Sequence, residues 1–191
     1  MSGGKFHVHG PHDHELEHAA QHEPKSMAGQ LAVMTAIIAT IGAIFSYMGG
    51  VTQANAGLFK NDAAIRKTEA ADQWNFYQSK SNKQNLAELA LDLVPEARRA
   101  FYQDEVKRYK TEKADIQHKA EALDAESKVW DEKSERELHV HHRWAQATTA
   151  LQIAIAMAAM ALLTKSRGLM YGMYGVSVLG VVLGVLAWLH V

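Results

Sequence analysis

The chain has 191 residues, of which 48% are hydrophobic, with no cysteine and a formal net charge of −1. These values exclude disulfide bonds and thiolate metal sites, and no basic patch indicates binding to nucleic acid. The charge is unevenly distributed, because 33 of the 41 acidic and basic residues lie between Lys60 and Arg143. A soluble globular domain carries ionised groups over its whole surface, so this distribution indicates a membrane protein.

Three segments lack Asp, Glu, Lys and Arg and are long enough to cross a bilayer, which takes roughly 20 apolar residues. The predicted transmembrane helices are residues 27–50, 144–164 and 169–191. Residues 1–26 are expected to form a disordered, His-rich tail, and residues 165–168 a short basic loop. The first span is too long for the apolar region of a signal peptide, so it is expected to remain as an anchor.

The charged region, residues 51–143, is rich in helix-forming residues and has no glycine between Lys60 and Arg143. Its only proline is Pro95. A helix usually ends before a proline, and a proline is favoured in the first turn of the next helix. We therefore predict a helical hairpin with its tip near residues 94–95. No strong helix breaker separates the arms from the neighbouring spans, so each arm is predicted to continue from its membrane helix.

The returning arm of the hairpin carries a heptad pattern that is typical of a coiled coil, interrupted by Lys113 and Ser127. The residues of this seam are Tyr102, Tyr109, Ile116, Leu123 and Trp130. Apolar residues on the outgoing arm are less regular, so the seam pairs either with that arm or with another subunit. The fold prediction is an all-α membrane protein with three transmembrane helices and a long extramembrane antiparallel coiled-coil hairpin, continuous with helices one and two.

Basic residues near the ends of the spans bear on the orientation in the membrane. The short loop carries Lys165 and Arg167, and short loops weigh most in the positive-inside rule. This places the N-terminus in the cytoplasm and the hairpin in the periplasm. Counting all basic residues near the span ends favours the reverse orientation.

The N-terminal tail holds six of the eleven histidines. His14, His18 and His22 are four residues apart, so they would share one face of a helix and could bind Zn, Cu or Ni. The alternative is a His-rich tail that binds these metals only adventitiously. No other cofactor is expected.

Small residues in the spans predict close packing of helices in lipid, either within one subunit or between subunits. They form two G-x-x-x-G pairs in the third span and an alanine row in the first. These residues are Gly168, Gly172, Gly180, Gly184, Ala32, Ala36, Ala39 and Ala43. The predicted spans contain no Asp, Glu, Lys or Arg, which argues against ion-coupled transport but is compatible with an oligomeric passive pore.

Trp74, Phe76 and Tyr77 form an aromatic group on the outgoing arm. One interpretation is a surface for a partner protein, and the other is a hydrophobic layer inside the hairpin. No motif for a catalytic serine, a phosphate loop or a zinc protease is present, so no enzymatic activity is expected.

Three stretches of the sequence resemble one bacterial family, the domain-of-unknown-function 4337 membrane proteins. They are ANAGLFKNDAAIRKTEAADQWNFYQSKS (Ala54–Ser81), HHRW (His141–Trp144) and LLTKSR (Leu162–Arg167). The resemblance implies one span, a helical arm and two closing spans in a bacterial membrane. The family has no established activity, so the resemblance implies no mechanism.

These observations predict a homo-oligomeric helical scaffold or membrane organiser in the bacterial inner membrane, in contact with lipid and without enzymatic activity. An unidentified protein could bind the hairpin. The alternatives are a metal-binding or metal-sensing protein that acts through the His-rich tail, and an oligomeric passive pore.

Overall fold

The computed structural model describes residues 26–189, which form three helices in sequence. Helix α1 is Met27–Leu93, α2 is Glu96–Thr164 and α3 is Arg167–Trp188. These residues contain no β-strand. The all-helical architecture with three long helices is therefore confirmed.

Helices α1 and α2 form an antiparallel hairpin, which confirms the predicted pairing of the two arms. The turn between them consists of Val94 and Pro95. The Val94 N–H still donates to the Ala90 carbonyl at 3.0 Å, and the Pro95 carbonyl accepts from the Arg98 N–H at 2.9 Å. Glu96 lies in the first turn of α2, where a negative charge is favourable beside the helix N-terminus.

The chain divides into two compact units, and α1 and α2 each contribute residues to both. The first unit contains the described residues up to Gln53 and those from His139 onward. The second unit is Ala54–Leu138 and includes the tip of the hairpin.

The first unit is a bundle of segments from all three helices, each of which is long and apolar enough to cross a membrane. Its core combines large side chains from α1 and α3 with Leu151 and three alanines from α2, and the alanines let the helices approach closely. The core residues are Leu31, Ile38, Leu151, Ala154, Ala158, Ala161, Met170 and Met173. A tight turn joins α2 to α3, with Lys165 at a positive φ of 51° and Ser166 as the N-cap of α3.

The second unit is a two-helix pair with few large side chains at its centre. Small residues are buried at intervals of seven on both helices, in place of the large residues of an ordinary coiled coil. They are Ala56, Ala63 and Ala70 on α1, and Ala120, Ser127 and Ser134 on α2. We call this set the small-residue seam.

Candidate assembly and partner surfaces

The small-residue seam is held by hydrogen bonds from one helix to the backbone of the other. Ser127 Oγ donates to the Ala63 carbonyl at 2.8 Å, and Ser134 Oγ donates to the Ala56 carbonyl at 2.8 Å. A serine hydroxyl reaches the backbone of the facing helix only where the two helices lie very close together. Ser127 is therefore part of the contact surface, whereas the heptad pattern of large residues marked it as an interruption.

The predicted seam of large residues borders the small-residue seam. Ile116 is buried, and the other four, Tyr102, Tyr109, Leu123 and Trp130, are half-buried. The Trp130 ring packs at 5.7 Å from the Phe59 ring of α1, measured between ring centroids. The sequence left open whether the arm pairs with another subunit, and in this chain it pairs with α1.

Ion pairs connect the two helices along both sides of the second unit. The shortest are Lys60–Asp131 at 2.5 Å, Lys80–Glu112 at 2.6 Å and Lys67–Asp124 at 2.7 Å. The hydrogen bond from Lys80 lowers the pKa of the Glu112 carboxyl below its ordinary value. The exposed pair Lys60–Asp131 contributes little to stability by itself, whereas Lys80 and Glu112 are half-buried. Together the ion pairs favour one register of the two helices.

Two of the three predicted partner-surface aromatics make contacts inside the hairpin. Trp74 Nε1 donates to Asp124 Oδ2 at 3.0 Å, and the Tyr77 ring lies edge-on to the Trp74 ring at 5.8 Å. The hydrogen bonds from Lys67 and then from Trp74 lower the pKa of the Asp124 carboxyl. Phe76 differs from the other two, because 49% of its surface is exposed. The structure thus favours the hydrophobic-layer interpretation for Trp74 and Tyr77.

A row of large apolar side chains is exposed along α1 in the second unit. Leu58, Ile65, Leu86 and Leu93 are 64%, 47%, 66% and 75% exposed, and they are spaced by seven or by multiples of seven. We call these four residues the outer row. They lie outside the segments predicted to span the membrane.

The glycines of the second G-x-x-x-G pair of α3 pack against other helices of the same chain. A Cβ atom added at Gly180 would lie 2.7 Å from a side-chain carbon of Leu151, and one at Gly184 would overlap the Phe45 ring. Both glycines are buried, as expected for close packing within one subunit.

The other small residues of the spans have fewer contacts. A Cβ at Gly172 would lie 2.6 Å from Met157 Cε, whereas Gly168 is exposed and has only Ser166 Oγ nearby, at 3.8 Å. In the predicted alanine row, Ala32 is half-buried, and the exposed members are Ala36, Ala39 and Ala43.

A small apolar pocket of about 280 Å³ lies at one end of the first unit. It is lined by Met48, Thr52, Val140, Trp144, Ala187 and Trp188. Beside it, His141 Nδ1 lies 2.8 Å from the Gly49 carbonyl oxygen. Because a carbonyl only accepts, Nδ1 carries the proton in this contact, and His141 ties α2 to α1.

The proposed metal ligands His14, His18 and His22 lie outside the described residues. Within residues 26–189, no group of three His, Asp or Glu side chains is arranged to hold a metal ion. Metal binding by the tail therefore stays a prediction, as does the passive pore.

The sequence was compared with protein families, curated proteins and solved structures. Residues 27–190 match the family described as Domain of unknown function (DUF4337). No curated protein and no solved structure matches the chain. Since the match covers α1, α2 and α3 completely, the chain belongs to the DUF4337 family.

Proposed function

We propose that this protein is a membrane-anchored helical scaffold that assembles as a homo-oligomer and has no enzymatic activity of its own. Its place is the bacterial inner membrane, where three helices cross the bilayer. The N-terminus faces the cytoplasm and the hairpin faces the periplasm.

The observation that carries this proposal is the small-residue seam. Its two buried serines donate to backbone carbonyls of the facing helix, and ion pairs flank it on both sides. These polar groups are used to fix one helix against the other. A helix pair held in this way suits a spacer or platform.

The exposed surface of α1 supports the membrane anchor and the assembly. Only 11% of the residues in its most apolar stretch are buried within the chain, compared with 28% in the corresponding stretches of α2 and α3. The rest of this stretch is available to lipid or to neighbouring subunits. A single chain therefore leaves most residues of this stretch partly or fully exposed.

Energy transfer in liposomes tests the assembly. The chain has no cysteine, so the variant Lys119→Cys offers one labelling site on the exposed side of α2. Donor-labelled and acceptor-labelled protein are reconstituted together at increasing lipid-to-protein ratios. The proposal predicts energy transfer that persists on dilution with lipid and falls when unlabelled protein is added. Transfer that disappears with dilution, as for randomly distributed monomers, contradicts it.

A further inference from the structure

The residues of the outer row stay on one side of α1 over five heptads, from Leu58 to Leu93. The buried residues Ala56, Ala63 and Ala70 repeat every seven residues, which requires the helix to supercoil slightly about its partner. Leu58 and Ile65 each follow a buried alanine by two positions, which places them on the opposite side of the helix. The outer row is therefore a second heptad row that α2 does not cover, with Asp72 and Ser79 at its two middle positions.

The first half of this face carries no basic residue that is free of an ion pair, although it belongs to the charged arm. Between residues 54 and 71 the basic side chains are Lys60, Arg66 and Lys67, and each forms an ion pair with an acidic residue of α2. These basic side chains flank the small-residue seam. Asp62 and Glu69 follow Leu58 and Ile65 by four residues, so they lie beside the outer row, where they are half-buried and Glu69 pairs with Arg66.

Small residues accompany the outer row at the same spacing. Gly57, Ala64 and Ala71 are seven residues apart and exposed. They directly precede Leu58, Ile65 and Asp72 in the sequence. A Cβ added at Gly57 would meet no atom within 4 Å, so the packing of this chain does not require a glycine there. Glycine destabilises a helix interior, and a close approach by a second helix would account for it.

The second half of the face has the highest exposure. Leu86, Leu89 and Leu93 are 66%, 57% and 75% exposed, and Glu88 and Asp92 alternate with them along the helix. These carboxylates exclude the interior of a bilayer as the cover for the leucines.

We propose that the outer row is the surface along which α1 packs against α1 of a second copy, in a parallel two-fold arrangement. This inference rests on the proposed function, because copies anchored in one membrane present their arms in the same direction. In a parallel pair of helices, each seam residue contacts the same residue of the other copy. One heptad row therefore provides both sides of the contact. Asn61, Asn75 and Asn82 occupy the alternate seam positions, where polar residues fix register.

The exposed area is sufficient for a stable dimer. Covering the outer row and Leu89 on both copies would bury on the order of 1,200 Å² of accessible surface, the lower end of the range for specific interfaces. An interface with this arrangement also leaves the ion pairs between α1 and α2 undisturbed.

Disulfide crosslinking of the full chain in native membranes tests this interface. Single-cysteine variants Leu58→Cys and Ile65→Cys place a thiol in the outer row, where each residue would lie within disulfide reach of its mate. The control Ala122→Cys places a thiol on the exposed outer side of α2. We expect rapid oxidation to dimers for both outer-row variants and at least tenfold slower oxidation for the control.

Three other results would overturn the interface. Equal rates at all three positions would indicate random collisions, and crosslinking to a different protein would show that the face serves another partner. If neither outer-row variant crosslinks, the native mass of the wild-type chain separates two cases. An oligomer would leave the proposed scaffold intact and reject only this face, whereas a monomer would reject both.

The double variant Leu86→Glu and Leu93→Glu provides a second measurement at the other half of the face. Both side chains are exposed, so the hairpin is expected to keep its helical content as measured by circular dichroism. The proposal predicts loss of the dimer. A dimer that survives with its affinity unchanged contradicts the proposal.

Discussion

Single residues in the small-residue seam decide how closely the two helices of the hairpin approach. Ala70 and Ala120 are fully buried, with 0% of their surface exposed. Replacing Ala70 by Leu inserts a large side chain where the helices are closest, which we expect to reduce the free energy of unfolding by about 1–3 kcal/mol. Thermal unfolding followed by circular dichroism measures this change. The same substitution at exposed Ala122 should leave the stability nearly unchanged, and equal effects at both positions would contradict the close contact.

The Asp124 carboxylate makes the stability of the hairpin depend on pH. Its pKa is lowered from its ordinary value of 3.8 in the folded chain, chiefly by the hydrogen bond from Lys67 and then by that from Trp74. The unfolded chain therefore binds the proton more readily, and the stabilisation present above pH 3.8 is lost as the pH falls through the lowered pKa. Glu112 acts in the same direction through Lys80, from an ordinary value of 4.5.

The variant Asp124→Asn tests this linkage through melting temperatures at pH 7 and pH 3. We expect the variant to melt below the wild type at pH 7 and the difference to shrink at pH 3, because below pH 3.8 the unfolded wild-type chain takes up a proton at Asp124 more readily than the folded chain does. A difference of the same size at both values would show that Asp124 does not contribute through its charge.

At the scale of whole helices, α3 is fitted to its neighbours through glycine. A methyl group at Gly184 would overlap the Phe45 ring, whereas one at Gly175 would meet no atom within 4 Å. Gly184→Ala is therefore expected to destabilise the first unit by about 1–3 kcal/mol through overpacking. Gly175→Ala should be neutral or stabilise it by up to about 1 kcal/mol, the helix-propensity difference. Melting temperatures in the same detergent compare the two, and the reverse order would contradict the packing of α3.

The helices themselves follow from simple features of the sequence. The uncharged segments predict where the apolar stretches of the three helices lie, because an uncharged segment of that length is typical of a helix that crosses a bilayer. Pro95 predicts the break, and α1 ends at Leu93 while α2 begins at Glu96. Both signals are local, and each depends on the chemistry of a few neighbouring residues.

The contact between the arms is harder to predict, because a heptad pattern is usually recognised from its large apolar residues. Where two helices lie very close, the smallest residues occupy the centre and the large ones border it. The large residues of α2 therefore mark the edge of the contact, and Ser127, which interrupts their heptad pattern, lies at its centre. The outgoing arm looked irregular because it carries two rows, one led by Ala56 and the other by Leu58.

In the assembled protein, one substitution on α1 is expected to strengthen self-association. Asp72 follows Ile65 by seven residues and is exposed, so a parallel pair would place it opposite the same carboxylate of its mate. Asp72→Leu should tighten self-association by about tenfold, which corresponds to roughly 1.4 kcal/mol. Dilution of the labelled protein with lipid measures the shift. Asp104→Leu, an exposed site on α2, serves as the control, and equal tightening by both variants would indicate nonspecific adhesion.

Copies of this chain are proposed to assemble into one defined oligomer. Native mass spectrometry of the uncrosslinked protein, extracted into nanodiscs, measures the number of subunits. We expect a single stoichiometry of two or more subunits. A clean monomer would contradict it and would show that the hairpin is complete within one chain.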